Sequence, residues 1–147
     1  NGGRTRNVHD QLHQIWREMA DEGRISADHY RAATVMNFYK SPDEFMAPLK
    51  DTTSAAYRNG LRLIDQRTVY VECPYRRRWK ENGDTAAFAA GLMATIRSWS
   101  RHSFASTAGD AAADELYARL EQRIAAAPDE WSLDYVEHHQ MMGKVAA

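Results

Sequence analysis

The sequence is poor in cysteine and in long apolar runs, and each shortage excludes a class of protein. Cys73 is the one cysteine among 147 residues, which excludes a disulfide framework within one chain. No apolar run approaches the roughly 18 residues of a membrane span. No apolar segment follows the arginines near the start, so we expect no signal peptide. These absences predict a cytoplasmic protein that makes no membrane contact.

Glycine-based and charge-based signatures are also missing. The 8 glycines form no G-x-G turn, no P-loop and no G-x-S-x-G elbow, so a phosphate-cradling turn and a hydrolase nucleophile are not encoded. A formal net charge of −1 argues against a general binder of polyanions. We therefore expect no nucleic-acid binding from composition alone.

Apolar spacing predicts the order helix, helix, strand, helix, helix, strand. Ser26 is a candidate cap for an additional short helical turn that ends near Ala33. The predicted helices are 7–22, 42–51, 85–101 and 110–127, and the predicted strands are 61–74 and 131–145.

The strand count is low for the number of helices. Two strands form a narrow sheet for four helices, so the sequence predicts α+β for an isolated single unit, 1–147. In a second interpretation, the strands belong to a larger α/β sheet whose other strands lie upstream or in a partner chain. Both interpretations stay open at this stage.

Histidines offer a candidate metal site, and a basic segment offers a candidate nucleic-acid site. His9 and His13 are four residues apart on a predicted helix, but a third ligand is missing, so we expect no metal. The segment Arg76 to Lys80 mixes cations with an aromatic ring, as single-strand binders do, but a solvated loop is the favoured interpretation. In the preceding strand pattern, Cys73 is expected to be a small buried apolar residue.

Three segments together resemble a known family. They are Trp16-Arg-Glu-Met-Ala-Asp-Glu-Gly23, Phe38-Tyr-Lys-Ser-Pro-Asp-Glu-Phe45 and Ile96-Arg-Ser-Trp99. Their order and spacing are similar to the C-terminal half of the S-adenosylmethionine-dependent carboxyl methyltransferases of the salicylate, benzoate and theobromine type.

The resemblance implies part of a class I methyltransferase with a Rossmann-like fold. This part would comprise the helical cap over the acceptor and two terminal antiparallel strands, 61–73 and 131–145. S-adenosylmethionine would be bound by the N-terminal half, which precedes these residues in the family. The chain alone would then be inactive. Its ligand would be a small molecule that accepts a methyl group, and we expect the accepting group to be a carboxylate.

The resemblance also implies which residues line the acceptor pocket, and it implies no catalytic or metal-binding residue. His9 stands where the family has a tryptophan, which implies an acceptor outside the plant hormones. The implied substrate-binding residues are Val8, His9, Tyr39, Ile96, Trp99 and Tyr135.

Two other functions remain as alternatives. The chain would in one case be a non-catalytic, truncated relative that forms a homodimer through an exposed sheet edge, because unpaired edge strands invite pairing. In the other case it would bind nucleic acid through Arg76 to Lys80. The methyltransferase interpretation is the one that the three segments favour.

Overall fold

The computed structural model describes residues 5–35 and 40–145, which form a mixed α and β structure. The expectation of an α+β chain is confirmed at this level. The elements are α1 (Val8–Asp21), α2 (Ala27–Ala32), α3 (Pro42–Lys50), α4 (Ala55–Arg58), β1 (Leu61–Val71), α5 (Pro74–Asn82), α6 (Thr85–Ala108), α7 (Asp110–Ala126), a 3₁₀ turn (Pro128–Glu130) and β2 (Tyr135–Lys144).

The chain divides into two compact units, each made of two segments of sequence. The helical unit consists of Asn1–Met36 and Glu72–Leu133 and contains α1, α2, α5, α6 and α7. The hairpin unit consists of Asn37–Val71 and Asp134–Ala147 and contains α3, α4 and both strands.

The main hydrophobic core belongs to the helical unit. Asn7 caps α1 by accepting hydrogen bonds from the backbone N–H groups of His9 and Asp10. The helix then turns one apolar face inward, because its apolar residues recur every three or four positions. The largest fully buried side chains of this unit include Trp16, Trp131, Tyr117, Phe104, Leu12, Ile15 and Met19.

An ion network joins α7 to the turn that follows α1, on the surface of the helical unit. The Arg119 guanidinium donates to Glu22 at 2.9 and 2.6 Å and to Glu115 at 2.6 Å, while Arg24 donates to Glu115 at 2.9 Å. The hydrogen bond from Arg119 lowers the pKa of Glu22, and that from Arg24 is the main cause of the lowered pKa of Glu115. These carboxylates are therefore held in their ionised form.

We expect the substitution Glu115→Gln to lower the melting temperature at neutral pH and to reduce its dependence on acid. Because the folded-state pKa of Glu115 lies below its ordinary value of 4.5, its ionisation stabilises the fold above that value. The stabilisation is lost as the pH falls through the folded-state pKa. Melting curves across the acid range, for wild type and variant, measure the difference.

Glu121→Gln is the matched control on the same helix, since Glu121 makes no ion pair with any residue in 5–35 or 40–145. The control should keep the acid dependence of the wild type. An equal effect of the two substitutions would contradict the assigned role of the network.

The two strands predicted from the sequence form one antiparallel pair in the hairpin unit, the pairing that the resemblance implies. Val71 lies opposite Tyr135, and Leu61 lies opposite Lys144. A bulge between Leu63 and Asp65 interrupts the register. The bulge changes the alternation of side chains along β1, which a strict period of two in the sequence does not predict.

Several predicted boundaries also need correction. The predicted solvated loop around Arg76 to Lys80 is helix α5. The helix begins at Pro74 and ends at Asn82, and Gly83 caps it in the left-handed conformation. Helix α6 continues to Ala108, beyond the predicted end at 101. Trp131 was expected at the start of the last strand, but it follows the 3₁₀ turn and is fully buried.

Helices long and apolar enough to cross a membrane are absent from the part of the chain that the structure describes.

Candidate functional site

The first turn of α1 places two of the residues implicated by the resemblance. Val8 is 6% exposed and lies in the core of the helical unit, whereas His9 is half-buried at the edge of that core. Successive residues on a helix point in directions about 100° apart, so the cap at Asn7 fixes both orientations. Val8 packs in the core, whereas the neighbouring His9 reaches the surface.

The middle of α6 places two further residues in the same way. Ile96 is fully buried, and Trp99, three positions later, is 40% exposed. The apolar face of α6 passes through Phe88, Leu92 and Ile96, so Trp99 lies at its edge. An indole that is two-fifths exposed leaves part of its surface accessible to a ligand.

The two edge residues meet. The rings of His9 and Trp99 have centroids 4.9 Å apart and planes tilted by 38°. Buried Val8 and Ile96 belong to the same hydrophobic cluster. We call the pair His9 and Trp99 the aromatic patch; it is the place where residues implied by the resemblance come together.

Partial burial favours the neutral form of His9, the titratable residue of the aromatic patch. Partial burial lowers the pKa of His9 below its ordinary 6.5, and nearby His13 lowers it further, although Asp10 opposes both. The imidazole is therefore neutral at pH 7. A neutral imidazole beside an indole, tilted by 38° to it, is an uncharged aromatic surface that can pack against a planar group.

The other two implied residues do not join the aromatic patch. Tyr39 lies outside the described residues. Tyr135 is 51% exposed and opens β2 in the hairpin unit, and a hydrogen bond with Glu137 raises the pKa of its hydroxyl.

Tyr135 lines a groove of the hairpin unit that the sequence analysis did not anticipate. The Lys40 ammonium lies 5.9 Å from the centroid of the Phe45 ring, and His138 Nδ1 lies 3.0 Å from Thr68 Oγ1. The sequence signal for this groove was Lys40, which directly precedes the helix-capping residues Ser41-Pro42. The groove is lined by Lys40, Pro42, Phe45, Thr68, Asp134, Tyr135, Val136 and His138.

The histidine side chains in the described part of the chain do not form a metal site. Among the described residues no three histidine, cysteine or carboxylate side chains are placed to share a metal ion. His138 faces Thr68 across the strands, whereas His139 pairs with Glu137 at 2.8 Å. Adjacent residues of a strand point to opposite faces, which separates the two imidazoles.

The basic segment on α5 is partly engaged within the helical unit. Arg76 donates to the backbone carbonyl of Asp129 at 2.9 Å, and Lys80 lies 3.6 Å from Glu72. Cys73 is fully buried and precedes the helix, in agreement with its expected role as a small apolar residue. The segment thus presents fewer available cations than its sequence suggests.

No protein-family model and no curated protein sequence matches the chain. The arrangement of its own residues, together with the resemblance of the three segments, is therefore the basis for a functional proposal.

Proposed function

We propose that this chain forms the acceptor-binding part of an S-adenosylmethionine-dependent methyltransferase that acts on a small aromatic carboxylate. The observation that carries the proposal is the aromatic patch. His9 and Trp99 come from different helices, have ring centroids 4.9 Å apart and remain partly exposed beside buried apolar residues. Such a tilted pair offers two adjoining aromatic surfaces against which an aromatic ring can pack.

The described residues do not fit the cofactor itself. They contain no glycine-rich turn from a strand into a helix, the element with which nucleotide-like cofactors are held in Rossmann-like folds. The resemblance assigns cofactor binding to a preceding half. The role proposed for this chain is confined to the acceptor.

A carboxylate acceptor needs positioning more than it needs a base. Its reference pKa is about 4, so it is ionised at pH 7 and its oxygen is already nucleophilic. Consistent with this, neutral His9 need not remove a proton. The aromatic patch holds the ring of the acceptor and excludes water from one face, which restricts the orientations of the ring plane.

We expect Trp99→Ala to weaken the binding of benzoate, used as the probe, by about tenfold, because the stacking surface is lost. His9→Ala should weaken it in the same direction. Isothermal titration of the 147-residue chain with benzoate measures both effects.

His13→Ala is the matched control, because His13 lies one turn further along α1 and is exposed. It should leave the affinity unchanged. Acetate, which has the carboxylate but no ring, should bind more weakly than benzoate. Equal benzoate affinity in Trp99→Ala and in the wild type would refute the proposal.

A further inference from the structure

The outer edge of β1 is open. Within residues 5–35 and 40–145, β1 pairs with β2 along one edge, and no other strand joins the sheet. The five consecutive residues Ile64 to Thr68, in the middle of β1, are all exposed. Two-stranded sheets are marginally stable alone, and an open edge is a template for another strand.

The charges on this edge are arranged symmetrically about Gln66. Asp65 precedes it and Arg67 follows it, and neither forms an ion pair with another described residue. Asp65 Oδ1 accepts only the short-range hydrogen bond from the backbone N–H of Gln66, at 2.8 Å. The two charges are thus available to a partner.

Charges on an edge strand usually oppose the pairing of sheet edges. Here their signs favour one partner in one register. If a second copy of β1 pairs antiparallel with a two-fold axis at Gln66, Asp65 of each copy lies opposite Arg67 of the other. Directly opposite pairs of unlike charge stabilise an antiparallel ladder.

Other registers are less favourable. An axis at Thr68 sets Asp65 opposite Val71 and Arg67 opposite Val69, which leaves both charges without a partner. Parallel pairing in register sets each charge opposite its own kind, which is repulsive. The bulge at Ile64 limits regular pairing to the stretch around Gln66.

We propose that a second copy of this chain docks on the outer edge of β1 and is held in register by two Asp65–Arg67 pairs. The product is a four-stranded antiparallel sheet in the order β2-β1-β1-β2. The inference uses only the hairpin unit and does not depend on the proposed function.

Complementary charge swaps test the register. Asp65→Arg and Arg67→Asp each create two like-charge contacts in the homodimer, and each should raise the dimer dissociation constant by about tenfold or more. An equimolar mixture of the two variants restores both unlike pairs and should associate at least as tightly as the wild type. Sedimentation velocity, at low salt and over a range of concentrations, measures all three.

Arg58→Asp is the matched control, because Arg58 is exposed on α4 in the same unit and the substitution changes the net charge as Arg67→Asp does. The control should dimerise like the wild type, and circular dichroism verifies that each variant folds. A wild type that is monomeric at every concentration would overturn the proposal. So would a mixture that associates no better than its separate components.

Discussion

Replacement of Trp16 by alanine should lower the free energy of unfolding by about 3–5 kcal/mol, the range found for large aromatic residues in cores. Trp16 is fully buried, its ring lies 5.0 Å from that of Phe104, and its Nε1 lies 3.4 Å from the carbonyl of His29. Truncation removes this packing and leaves a cavity that rigid helices fill only in part. Urea denaturation followed by circular dichroism at 222 nm measures the loss.

Trp99→Ala is the matched control in the same unit. Because Trp99 is 40% exposed, its truncation should cost about 1 kcal/mol or less. The comparison separates a tryptophan that maintains the fold from one that is available to a ligand. Similar losses for the two variants would contradict the division between core and aromatic patch.

Replacement of Gly60 by alanine should destabilise the hairpin unit by about 2–4 kcal/mol. Gly60 has a φ of +83°, and a Cβ atom there would collide with the backbone carbonyl oxygen of Val145. The backbone N–H of Val145 donates to the Gly60 carbonyl at 2.9 Å, so the collision also separates the end of the strand pair. Amide hydrogen exchange of β1 and β2 measures the effect.

Gly23→Ala controls for the backbone strain. Gly23 has a φ of +73°, but a Cβ atom there meets nothing within 4 Å. The free energy of unfolding of this variant should fall only by the strain of alanine in the left-handed conformation, about 1–2 kcal/mol. If both variants lose the same free energy, the contact with Val145 is not what requires glycine at position 60.

The helix starts could be predicted because their signals are local. Ser41, Pro42 and Glu44 predicted the start of α3, and the structure has the complete capping box there. Asn7 and Asp84 likewise cap α1 and α6. Such caps involve residues within one turn, so the sequence contains all the information that is needed.

Two of the errors arose where distant contacts decide the structure. No residue near Ile64 announces the bulge, which is defined by pairing with β2 far along the chain. Trp131 shares an alternating pattern with Leu133, yet its ring is buried in the helical unit. Helix α5 was missed although Pro74 and Gly83 are recognisable start and stop signals.

The residues of the aromatic patch could be proposed from the sequence, but their geometry could not. Periodicity placed Ile96 and Trp99 on an apolar stripe without saying that one is buried and the other is partly exposed. It gave no indication that Trp99 touches His9, because the two belong to different helices. The groove beside Tyr135 depends on the approach of α3 to both strands, which local patterns do not encode.

The most direct test of the proposed acceptor site is a nuclear Overhauser measurement between benzoate and the 147-residue chain. The proposal predicts contacts from the benzoate ring protons to the Trp99 indole and to the His9 imidazole, with none to His13. Contacts confined to other side chains, with Trp99 and His9 unperturbed at saturating benzoate, would contradict it.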